Sequence, residues 1–122
     1  MKVKVSIGDF IDRYSILLIK EDIGLNVKDE LNEYKTLAQD FESKFFNYYL
    51  EIFKKVNTIL WDIETDKRSN SERYTEEYSD LSTLTLHYND LRHYLKKLVD
   101  DFYTSEISEQ KNHEKNIDNG KS

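Results

Sequence analysis

The chain has 122 residues with no Cys, no Pro and only three Gly, and it carries a formal net charge of −6. That length suits one domain with a modest core, and the lack of Cys excludes a disulfide framework, a thiolate metal site and thiol chemistry. Residues 26–83 hold eight basic against thirteen acidic side chains, so no basic face for nucleic acid is expected.

No window approaches the roughly 20 continuous apolar residues that cross a bilayer. The opening "MKVKVSIGDF" lacks the apolar run and small-residue cleavage site of a secretory signal. The expectation is a cytoplasmic protein with no nucleic-acid or membrane partner and no cofactor.

"KVKV" at the start is at most a short extended arm. Ser6 followed by Asp9 then reads as a capping box. The first predicted helix runs to about Ile23, with Gly24 as a left-handed stop. Asn26, with Asp29 three residues on, caps a second helix. Its apolar positions, Leu31, Tyr34, Ala38, Phe41, Phe45, Tyr48, Ile52, Val56, Ile59 and Ile63, recur every three or four residues. Unbroken, these roughly forty residues reach ~60 Å. The polar run "TDKRSNSE" ends it, and Ser69 with Glu72 makes a capping box for a third helix. There Tyr74, Tyr78, Leu81, Leu84, Tyr88, Leu91, Leu95, Leu98 and Phe102 repeat the pattern. Past Lys111 the apolar period is gone, and residues 112–122 read as a disordered polar tail.

This order predicts an all-α, single-domain fold over residues 1–111. A shorter N-terminal helix packs on a long antiparallel helical hairpin, in the manner of a three-helix bundle or coiled coil. The apolar sector of the second helix is wide, extending through Phe46, Phe53 and Leu60 to Leu50 and Trp61. Either the first helix covers the excess or a second copy of the chain does. The expectation is a homodimer, since apolar patches of that size mark interfaces.

The first helix carries the oddest charges. Projected at ~100° per residue, Asp9, Arg13 and Lys20 fall in a gap between two apolar faces. A solvated strip belongs opposite the apolar face, so charges in such a gap need partners. In the third helix Arg92 projects into the apolar stripe, with Lys96 and Asn89 beside it, and must meet a carboxylate or a bound anion. Two readings follow. In one, Asp9 and Asp12 pair with Arg13 and Arg92 and fix the docking of the first helix. In the other, Arg13, Lys20, Asn89, Arg92 and Lys96 form a pocket for a small anion, with Asp9, Asp12 and Asp90 as its supporting ion-pair network.

The segments "VSIGDFIDRYSILLIKE", "LWDIETDKR" and "YNDLRHYLKKLVDDFYTSEISEQK" resemble a family of short bacterial and phage-type helical proteins. That family shares an SIG[ED]xID[KR]…IK opening and an NDxR…K…SxIxExK close. The resemblance spans nearly the whole chain. It implies a shared fold and surface but no reaction, and it carries over Asp12, Arg13, Lys20, Asn89, Asp90, Arg92, Lys96, Ser105, Glu109 and Lys111. Asp9 stands where Glu is commoner.

Other motifs are weaker. His87, Asp90 and His93 are each three apart and do not converge as i, i+4 ligands do, so no metal site is expected. Glu77 and Asp80 make half of the acidic signature of all-α nucleoside-triphosphate pyrophosphohydrolases. The other half is missing, since Asp29, Glu33, Asp40, Glu51 and Asp62 line an outward ridge. "FIDRYSILLIK" superficially resembles the first helix of a chorismate-type mutase. The leading expectation is a small helical binding or assembly module with an anion-binding surface. A small-molecule enzyme of one of those two types is the alternative.

Overall fold

A computed structural model describes residues 5–41, 43–69 and 75–120, with side chains described through residue 104. Its described residues form an all-α fold of four helices: α1 (Ile7–Asp22), α2 (Lys28–Ala38), α3 (Lys44–Ser69) and α4 (Glu76–Gly120). None of them is long and apolar enough to cross a membrane.

The start of α1 follows its sequence signal. The Ser6 hydroxyl accepts from the Asp9 amide at 3.1 Å, and Gly24 takes φ +87° just past the end. The Gly24 and Leu25 amides return to the Glu21 and Lys20 carbonyls, closing the helix in the left-handed manner that favours glycine.

The expected second helix is in fact two. A single 3-10 turn, Gln39–Phe41, ends α2, and the Ser43 hydroxyl restarts the chain by accepting from the Phe46 amide. The reason lies in reach. The 16 residues of α1 span only about 24 Å, so a straight second helix would carry Leu31 and Tyr34 beyond it. The break folds α2 back instead. Leu31 becomes almost fully buried, and the Tyr34 ring stacks on Phe10 with centroids 5.1 Å apart. Asn26 does not cap α2; the helix begins after Val27 with no side-chain cap, and Asp29 and Glu30 in its first turn complement the helix dipole.

The expected Ser69–Glu72 box does not start the last helix either. Ser69 is the final residue of α3 and donates to the Thr65 carbonyl, while Glu72 lies outside the described residues. Thr75 takes the role, accepting from the Tyr78 amide at 3.2 Å. At the other end, α4 runs helical through Gly120. From Thr104 to Asn119 it meets no Pro or Gly, so the backbone has no local reason to stop.

The two long helices run antiparallel. Phe45 meets Phe102 at one end, and the Lys67 ammonium sits over the Tyr78 ring at the other. Helix α1 lies across both, with Ile11, Phe53 and Val99, one from each helix, wholly buried between them. Near Gly8 the helices touch. A Cβ there would stand 2.5 Å from the Lys96 carbonyl oxygen and 2.9 Å from its Cα, so only glycine permits this approach. The Gly8 amide donates to Asp100 Oδ1 at 2.7 Å, placing a carboxylate at the α1 N-terminus.

Candidate functional site

Two polar clusters lie where α1 crosses the hairpin, and they differ in how completely they are matched. The first is closed. Lys96 Nζ meets Asp9 Oδ1 at 3.2 Å and Asp12 Oδ2 at 3.4 Å. Asp12 is 5 % exposed, and its other carboxylate oxygen accepts from Asn57 Nδ2 at 2.8 Å. Asn57 also donates to the Ser15 hydroxyl at 2.8 Å, and that hydroxyl donates to the Asp12 carbonyl oxygen at 2.6 Å. The cluster thus ties α1, α3 and α4 together. A buried carboxylate here is tolerable because a cation and an amide both serve it.

The second cluster is open. A cleft of about 400 Å³ lies between α1, α3 and α4. Helical spacing builds it: Asn57, Trp61, Glu64 and Arg68 fall on one side of α3, Ile16 and Ile19 on one side of α1, and Asn89 and Arg92 on one side of α4. Ile16, Ile19, Leu60 and Trp61 make an apolar wall. Arg92 is half-buried, and its Nε is fully buried with no hydrogen-bond partner among the described residues. Arg68 stands exposed at the rim, and Glu64 pairs with Lys67 at 3.6 Å. Among the lining residues, then, two guanidinium groups face one carboxylate that a lysine already partners.

The residues singled out from the sequence separate accordingly. Arg92 and Asn89 line the cleft, whereas Lys96 sits one helical turn away in the closed cluster with Asp9 and Asp12. The aspartates therefore meet a lysine, not Arg13 or Arg92. Arg13 is exposed, outside the cleft lining, and without an ion pair among the described residues, because its projected gap opens to solvent. Lys20 is half-buried with no such pair, and Asp90 is exposed. The side chains of Ser105, Glu109 and Lys111 lie outside those described. His87, His93, Glu77 and Asp80 are all exposed.

Several participants escaped the sequence reading. Asn57 had a signal: a carboxamide flanked by the core positions Phe53, Val56 and Leu60 must either pair or face a cavity, and it does both. Asp100, four residues beyond Lys96 on the same side of α4, had a fainter one. Gly8 had none, since a close helix approach leaves no trace in composition. Comparison with known protein families, with curated proteins and with solved structures finds no match to this chain.

Proposed function

We propose that this chain is a small helical binding module that holds an anionic small molecule in the cleft between α1, α3 and α4. One observation carries the reading: Arg92 lines the open cleft with no ion pair among the described residues, and its buried Nε has no hydrogen-bond partner among them. An unpaired buried donor costs on the order of 1–3 kcal/mol, and more when charged. A carboxylate or phosphate is the group that matches the planar guanidinium fork.

Benzoate and phenyl phosphate, which join such a group to an apolar ring, are the test ligands. Either should raise the melting temperature of the protein by several degrees at concentrations well above its dissociation constant. The same ligands should leave Arg92→Met unmoved. Equal shifts in both proteins, or none in either, would remove the cleft as a site.

A second observation supports an assembly role beside the binding role. Phe45, Ile52 and Ile59 on α3 are exposed and seven residues apart, as are Leu84, Leu91 and Leu98 on α4. At ~100° per residue both rows project beside the α3–α4 seam on the side away from α1. Seven-residue apolar rows are what helices present to other helices. A second copy of the hairpin offers the matching rows and would complete a four-helix layer as a homodimer. Sedimentation equilibrium at micromolar concentration should give twice the chain mass. Ile52→Lys with Leu91→Glu should give the single-chain mass with unchanged helical circular dichroism. A wild-type protein sedimenting as one chain would rule the dimer out.

A further inference from the structure

The closed cluster dictates what the open one can recognise, through the orientation of a single carboxamide. Asp12 Oδ1 is a carboxylate oxygen and can only accept. The Ser15 hydroxyl has committed its hydrogen to the Asp12 carbonyl oxygen, so toward Asn57 it too can only accept. Both lie 2.8 Å from Asn57 Nδ2. Asn57 must therefore present its amino group to them, and both of its N–H hydrogens are used. Turning the amide over would set its carbonyl oxygen against two acceptors and leave both N–H groups unmatched.

Asn57 is 4 % exposed, yet it lines the cleft. With the amino group consumed, the polar atom it has left to offer is its carbonyl oxygen, which has no partner among the described residues. The cleft thus offers a fixed acceptor from α3 and a fixed, charged donor from α4 at Arg92, joined by the apolar wall of Ile16, Ile19, Leu60 and Trp61. A volume of about 400 Å³ lies within the range that takes a ring-bearing organic molecule rather than an inorganic ion.

We infer that the ligand of this cleft is a ring-bearing organic anion that also carries an N–H or O–H donor, the anionic group going to Arg92 and the donor to Asn57 Oδ1. This rests on the Arg92 reading above and narrows it. Inorganic phosphate, or an anion whose body is purely hydrocarbon, satisfies one end only. Aminated aromatic acids and aminated aryl phosphates share the required chemistry.

Calorimetric titration of the wild-type protein with two matched pairs distinguishes these sources. Para-aminobenzoate is set against benzoate, and 4-aminophenyl phosphate against phenyl phosphate. In each pair the second member lacks only the amino group, so no added bulk confounds the comparison. In the pair whose scaffold fits, the amino-bearing member should bind on the order of tenfold tighter, the worth of a hydrogen bond to a buried acceptor. That ratio should fall to near one in Asn57→Leu, a loss of discrimination that simple destabilisation does not produce. Equal affinities within both pairs in the wild-type protein would overturn the donor requirement while leaving the Arg92 site standing. Failure of all four compounds to bind would overturn both.

Discussion

Lys96 and Arg92 stand one turn apart on α4 and face the same seam, but their surroundings are opposite. Lys96 is met by two carboxylates, and behind them Asn57 donates to Asp12 Oδ1 while the Ser15 hydroxyl donates to the Asp12 backbone carbonyl. Arg92 lines a cleft whose carboxylate is already held by Lys67, and its Nε has no partner among the described residues. Two cations in one amphipathic stripe therefore belong to different categories. The lysine ties the first helix to the hairpin, whereas the arginine is the group that the proposed ligand would meet. Charge pattern does not separate them; partner geometry does.

Substitutions can break that contrast or sharpen it. The largest effect should come from Gly8→Ala, which forces a methyl group into the Lys96 backbone and pushes α1 off the hairpin. Because backbone and not a flexible side chain is in the way, a loss of about 3 kcal/mol is expected in urea unfolding. Next is Lys96→Met, which strands the Asp12 carboxylate in its buried pocket. A fully buried pair would lose more, but Lys96 keeps about a fifth of its side chain exposed and Asp9 is more exposed still, so about 2 kcal/mol is expected.

Ser15→Ala removes one of the two acceptors of the buried Asn57 amino group. It should cost about 1 kcal/mol by the same unfolding measurement and free one N–H of that amide. Arg92→Met should be the mildest, within about 0.5 kcal/mol of wild type or slightly more stable, because an apolar side chain of similar length relieves an unmatched buried donor. If Arg92→Met instead proved as costly as Lys96→Met, the two cations would share a structural role and the cleft would lose its claim to a ligand.

Much of this was open to inspection in the order of residues. The all-α class follows from the absence of proline, the near absence of glycine and unbroken three-four spacing over most of the chain, because these leave helix as the only regular structure with a continuous apolar face. The start and stop of α1 follow from Ser6 and Gly24 for equally local reasons: a hydroxyl placed to accept the third amide, and a residue free to take positive φ. Projection also marked Asp9, Arg13 and Lys20 in a gap between apolar faces and Arg92 in an apolar stripe, but gave no such sign for Asp12.

The pairing among them was decided by the tertiary structure alone. Whether Asp12 meets Arg13, Arg92 or Lys96 depends on the crossing of α1 over α4, and that crossing is set by a contact at Gly8 that no periodicity records. The break at residues 39–41 is of the same kind, since the apolar stripe runs through it undisturbed. Only the short reach of α1 requires the chain to turn back there. Local chemistry fixes where a helix can exist and which side of it is oily. Distances between helices fix which charges are satisfied and which are left unmatched, and those distances arise from packing that involves the whole chain at once.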